Sequence, residues 1–215
     1  MKKYHINEQK KLSKNFKKNK NLNSSNKLIE YMYEDLKNLS NHIDETTNLN
    51  IACGKGCSHC CNTRVEITEP EAIFIYSYIK DTLTKEQLDG IFSKIKEISS
   101  ITSKMKNISD HIKLQIPCIF LSNDMCGIYE IRPFICREFH SVDLESCLKL
   151  YDKLDEKAGA LESNDLKKMY YRIFLKYIDI YKENKLTITS EKFMISLLKV
   201  HENQSYIKDY FNNLK

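Results

Sequence analysis

The 215-residue chain predicts a mainly α fold, a single helical domain with a short irregular metal-organised hairpin. Three observations carry that expectation. Apolar residues recur at helical spacing along most of the chain. Only five glycines and three prolines interrupt it. Most of those breakers gather beside the cysteines, all eight of which fall between Cys53 and Cys147.

Residues 1–25 read as a basic, flexible tail. Eight lysines against the single acid Glu8 give the first 20 residues a net +7, leaving −2 for the rest of a chain whose total is +5. Such a run is either a solvated arm or an attraction to nucleic acid or an anionic surface. The solvated arm is preferred and nucleic acid disfavoured, because Tyr4 and Phe16 are the only aromatics within it and no nucleic-acid motif accompanies it. Residues 26–215 then form one cysteine-cluster helical domain, with a metal-binding core over 50–147 and a helical part over 148–215.

Leu28, Ile29, Met32, Leu36, Leu39 and Ile43 predict an amphipathic helix from about Asn26 to Asp44. Thr68-Glu69-Pro70-Glu71 joins a capping residue, a first-turn proline and an acid at the third helical position, and so starts a second helix through Ala72, Ile73, Tyr76 and Ile79. Thr84 and Gln87 form another capping box, with Leu88, Ile91, Phe92, Ile95 and Ile98 as the buried face. From Ile116 to Phe139 short apolar runs are broken by the turn formers Ser122-Asn123-Asp124, the expected hairpin. A helix from Ser163 carries Leu166, Met169, Tyr170, Ile173, Tyr177 and Ile180, and one starting at Ser190 carries Phe193, Leu197 and Leu198. Aromatic stripes at this spacing are core rather than cofactor boxes.

Cys53-Gly-Lys-Gly-Cys57-Ser-His-Cys60-Cys61 opens the cysteine region. Cys57 and Cys60 are spaced as a knuckle that bites one metal ion, and Cys53 can add a third thiolate. The fourth must come from Cys118, Cys126, Cys136 or Cys147, whose wide gaps do not form the second knuckle of a zinc ribbon. Cys61 stands apart, since neighbouring side chains on an extended chain diverge. It serves a second metal or a redox step, or it is a small buried hydrophobe. His59, His111 and His140 are further imidazole candidates, His140 foremost, although eight thiols already suffice. Gly54, Gly56 and Gly127 adjoin cysteines and permit the backbone turns a metal loop needs. Pro117 and Pro133 precede Cys118 and Cys136 and fix the approach of the chain.

Neither a secretory signal nor an apolar run of about 20 residues is evident, so a cytoplasmic, non-membrane chain with reduced thiols is expected. Structural disulfides are the lesser alternative, kept because eight is an even count.

The opening motif, Pro117-Cys118-Ile-Phe-Leu121, and Cys126-Gly-Ile-Tyr129-Glu-Ile-Arg132-Pro133-Phe-Ile-Cys136-Arg137-Glu-Phe139 together resemble the YkgJ-type cysteine-cluster family. This is the zinc- or iron-chelating CxxCxxCC domain, whose members include the flagellin lysine-N-methylases. The resemblance covers roughly residues 50 to 147. It implies that Cys53, Cys57, Cys60, Cys61, Cys118, Cys126, Cys136 and Cys147 form a metal centre, of zinc or of iron. The opening here is CxxxCxxCC, one residue longer than the pattern that names the family. Arg132 and Arg137 are candidate cofactor-binding residues. Four thiolates around Zn²⁺ or a [4Fe–4S] core leave a net negative charge that guanidinium groups offset, and N–H donation to sulfur raises a cluster's potential. Ion pairs to Glu130 or Glu138 are the equal alternative. Tyr129 is read as a packing residue.

Three functions compete. The first is a metal-cluster protein with a redox or structural role, holding an iron–sulfur cluster, [4Fe–4S] in preference to zinc, because eight soft thiolates without paired knuckles suit a polynuclear centre. The second, implied by the resemblance, is a protein-lysine N-methylase using the cluster and S-adenosylmethionine on a protein substrate. The radical triad CxxxCxxC is present, but the helices after Cys61 are not the strand–helix repeats of a barrel, and no glycine-rich strand-to-helix turn offers an ordinary cofactor site. The third is a zinc-organised module that binds a protein partner. Catalytic residues are unknown at this level, and so is enzyme status.

Overall fold

Helix α1, Lys2–Lys18, leads the chain, so the arm expected over 1–25 is helical through most of its length. The computed structural model describes residues 2–54, 56–102, 113–152, 154–155, 159–203 and 205–213. Phe16 explains the difference. Its ring is fully buried and meets Tyr181 edge-on at 5.1 Å, with Leu12 packed one turn earlier, while the neighbouring lysines from Lys10 onward stay exposed. One aromatic in a lysine run is enough to dock the helix, because burying such a ring is favourable by about 2 kcal/mol or more.

Helix α2, Leu22–Thr46, starts at Asn21, whose side chain accepts from Ser24 N while Ser24 answers the Asn21 N–H. It packs on α3 (Glu69–Thr82) and on α7 (Asn164–Glu183), and the three share the core formed by Leu28, Ile29, Met32, Ile73, Tyr177 and Tyr181. The predicted capping boxes form at both sites. Glu71 reaches the Thr68 N–H at 3.2 Å, and Thr84 and Gln87 exchange bonds of 2.9 and 3.3 Å at the start of α4, Lys85–Thr102. Ser163 caps α7 through Leu166 N, but Met169 lies on its exposed side, and Ile178 and Tyr181 are buried with the expected face.

Two short sheets complete the frame. Strand β1, Glu66–Thr68, pairs antiparallel with β4, Ser190–Lys192, in the register Glu66↔Lys192, Ile67↔Glu191 and Thr68↔Ser190. Ser190 therefore opens a strand, not a helix. Helix α8 begins at Phe193 and runs to Glu202, lying against α3 and α4. Strands β2 (Leu121–Ser122) and β3 (Met125–Cys126) form the expected hairpin, and Asn123 and Asp124 at its tip both have positive φ, 50° and 58°. Both residues tolerate that region, which matches the strands' twist. Short helices α5 (Phe134–Glu138), α6 (Leu144–Tyr151) and α9 (Tyr206–Phe211) fill the remaining described chain. Among the described residues no helix is long and apolar enough to cross a membrane.

Candidate metal centre

The cysteines are delivered by six separate segments. Cys53 and Cys57 lie in the irregular stretch after α2, and Cys60 and Cys61 in a 3₁₀ turn over His59–Asn62. Cys118 precedes the hairpin, Cys126 is in β3, Cys136 is in α5 and Cys147 is in α6. None is in a disulfide.

The first loop turns on Gly56, whose φ of +85° lies in the left-handed region, and Cys57 N closes the turn on Gly54 O at 3.1 Å. A side chain at Gly56 would be strained even though space surrounds it, whereas Gly54 is open without that constraint. Gly56→Ala is therefore expected to destabilise by about 1 kcal/mol while Gly54→Ala stays within about half of that. Paired denaturant titrations read the difference.

Backbone bonds fix how the segments meet. Ala52 N donates to Ser141 O at 2.8 Å, Ser141 N donates to Cys53 Sγ at 3.3 Å, and Cys118 N donates to Cys61 O at 2.8 Å. The backbone N–H groups of Phe120 and Ile128, each two residues on, act on the thiols of Cys118 and Cys126 against the effect of burial. Sulfur receiving backbone N–H bonds in this way is prepared for thiolate charge. Fully buried Ser141 is a residue sequence reasoning missed; an isolated serine in a loop carries no signal until the fold sets it between Cys53 and Cys147.

Burial raises the thiols of Cys53, Cys126, Cys136 and Cys147 above their ordinary value and pushes Cys118 up to about 12. Cys53 and Cys136 are exposed, yet the protein around each thiol still raises it, with Cys118, Cys61 and Cys126 adding to the effect at Cys136. The vicinal pair behaves differently. The two thiols act on one another: Cys61 and burial raise Cys60, while Cys60 and Arg132 lower Cys61 against burial. Among the described residues no three His, Cys, Asp or Glu side chains converge closely enough to ligate an ion as they stand. Closing a coordination shell requires the thiols to draw together and lose their protons.

The arginines divide in role. Arg137 donates through Nε to Arg132 O at 2.8 Å and through Nη2 to Glu130 O, with its guanidinium 4.1 Å from the centre of the Tyr33 ring. Arg132 lies 3.6 Å over the ring of exposed Tyr129, which is thus a stacking platform and not a core residue. Arg132 lowers Cys61, Cys126 and Cys136, and Arg137 lowers Cys126. The carboxylates of Glu130 and Glu138 pair instead with Lys37 and Lys167. Arg137→Ala is expected to cost about 2–3 kcal/mol through its lost charged hydrogen bonds. Arg132→Ala, on the surface, is expected to cost under about 1 kcal/mol while weakening metal retention. Thermal melts and metal content of the two variants separate the roles.

Of the three imidazole candidates, the two among the described residues are engaged by other groups. His59 Nδ1 bonds Asp152 at 2.8 Å. In buried His140 both ring nitrogens are engaged, Nδ1 with Glu138 O at 2.9 Å and Nε2 accepting from Ser163 N at 2.9 Å. The favoured imidazole candidate is thus a strut between α5 and α7. His111 lies outside the described residues.

Soft sulfur donors in this number suit zinc or iron and no hard cation. No curated protein and no solved structure matches the chain. A family model, CxxCxxCC, described as a putative zinc- or iron-chelating domain, matches residues 52–164, just over half the chain and every cysteine in it. With the cysteines assembled as described, the chain belongs to this zinc- or iron-chelating CxxCxxCC family.

Proposed function

We propose that this is a metal-binding cysteine-cluster protein whose thiolates hold an iron–sulfur cluster, [4Fe–4S] in preference to zinc, in a redox or structural role. The observation that carries the reading is the gathering of eight reduced thiols from six segments, with Cys53 Sγ already accepting a backbone N–H bond from Ser141. Arg132 and Arg137 are the residues expected to offset the charge of the loaded centre, Arg132 the more directly. Such N–H and guanidinium groups raise a cluster's reduction potential.

Protein purified without oxygen and analysed for metal, sulfide and visible absorption tests this reading. Several irons per chain, inorganic sulfide and a brown band that bleaches on reduction are expected. A colourless protein with stoichiometric zinc would overturn the iron assignment and favour a zinc-organised module for a protein partner. The methylase alternative needs S-adenosylmethionine. The chain offers no glycine-rich strand-to-helix turn for that cofactor, so that reading stays second, and calorimetric titration with S-adenosylmethionine decides it.

A further inference from the structure

From Gln9 through Ile29 the chain has seven lysines and no acid. Most of that charge is carried by a docked helix. Leu12 and Phe16 define one side of α1, and that side packs into the core, Phe16 against Tyr181. At about 100° per residue, Lys10, Lys11, Lys14, Lys17 and Lys18 fall within about 120° of arc centred on the opposite side. All five are exposed. Exposed Lys20 continues the field, its Nζ donating to Asn184 O at 3.4 Å beside exposed Lys182 and Lys185 at the end of α7, where Glu183 is the neighbouring acid.

Cations are favoured in the last turn of a helix, which accounts for Lys17 and Lys18 but does not reach Lys10, Lys11 or Lys14. Like charges held on one fixed face repel one another, and a polyanion relieves that repulsion. Lys10 to Lys18 spans about 12 Å of helix, a length over which duplex DNA presents roughly seven phosphate charges. Exposed Asn15 and Asn19 stand among the lysines, and both side-chain types bind phosphate and sugar oxygens. The exposed run from Lys10 to Lys20 holds neither arginine nor an outward aromatic ring to read a base. A helix lying on a membrane needs a free apolar side, and in α1 Leu12 and Phe16 are already packed inside the protein.

We propose that the lysine face of α1 is a nucleic-acid-binding surface that grips the phosphate backbone without regard to base sequence. It stands apart from the metal centre. Phe16 meets Tyr181, whose hydroxyl bonds Ser25 at 2.9 Å near the start of α2, whereas Cys53 follows the far end of that helix, about 30 Å along its axis.

The test is fluorescence anisotropy of the full chain, purified without oxygen, with labelled DNA and RNA duplexes of scrambled sequence over a salt series. Log affinity is expected to fall linearly with log salt. Combining Lys10→Gln, Lys14→Gln, Lys17→Gln and Lys18→Gln is expected to weaken DNA binding about tenfold or more at low salt and to reduce the slope by about 3–4. The same loss of charge at Lys85, Lys94, Lys168 and Lys208, exposed on other helices, should leave affinity nearly intact. The duplex bound more tightly identifies the partner as DNA or RNA. Acetylation footprinting of the unmodified chain should show the α1 lysines protected by duplex, and it decides alone if circular dichroism shows that a variant has not folded. Absence of duplex binding, equal losses in the two variants, unprotected α1 lysines, or binding confined to vesicles of anionic phospholipid would overturn the proposal.

Discussion

Replacing Glu71 with leucine is expected to lower the thermal midpoint by roughly 10 °C, the largest effect of any single substitution outside the cysteines. The Glu71 side chain is 2 % exposed on the first turn of α3. Its oxygens accept from Phe134 N at 2.7 Å, from Thr68 Oγ1 at 2.8 Å, from Tyr33 Oη at 3.1 Å and from Thr68 N at 3.2 Å. One carboxyl group thus joins α2, the β1–α3 junction and the first residue of α5. Leucine would leave those donors buried without acceptors, each a cost of about 1–3 kcal/mol when unrelieved. Two or more donors left unrelieved together cost about 3–5 kcal/mol, and for a chain of this size each kcal/mol shifts the midpoint by about 2–4 °C. Because Phe134 begins the helix that bears Cys136 and Arg137, metal retention should fall as well. Glu71→Gln, which keeps one acceptor oxygen, should recover part of the loss. A shift of a degree or two in the leucine variant would contradict this role.

Chelation carries the second large effect. A ligand held at about a thousand times its dissociation constant stabilises the folded chain by about 4 kcal/mol, so stripping the metal should lower the midpoint by on the order of 10 °C. It should also reverse the pH dependence. In the metal-free chain Cys53, Cys118, Cys126, Cys136 and Cys147 are raised from an ordinary value of 9.0 by burial. A thiol raised by folding holds its proton more tightly folded than unfolded. Its contribution is whole below the unfolded value and is lost as pH climbs from there through the folded value. The metal-free chain should therefore weaken above about pH 9. Cys61, lowered to about 7, runs the other way and loses its smaller contribution as pH falls through neutrality. With metal bound the ligands are thiolates, protons compete for them, and stability should fall on acidification. Melting curves across pH for both forms show whether the slopes oppose.

The helices were legible because their signals are local. Thr68 with Glu71 and Thr84 with Gln87 are capping pairs within one turn, and the α2 stripe from Leu28 to Ile43 needs no knowledge of its partners. What escaped were features made only by distant contacts. The strands Glu66–Thr68 and Ser190–Lys192 are three residues each, too short for an alternation pattern, and exist because they pair across more than a hundred positions. Phe16 was hidden by the charge around it, since composition weighs eight lysines and the core weighs one ring. At the site, cysteine spacing and the Arg132-Pro133 and Cys136-Arg137 signature marked the thiols. It could not show that Cys147, distant in the chain, shares a small apolar cluster with Tyr151 against which Cys60 packs, nor that His140 is already committed at both nitrogens.

These thiols are expected to be the ligands of a resident metal. X-ray absorption of the chain as purified without oxygen, at the edge of whichever metal it carries in stoichiometric amount, tests that claim most directly. Sulfur should dominate the first shell. A first shell of nitrogen and oxygen, or a chain that carries no stoichiometric metal, would contradict it.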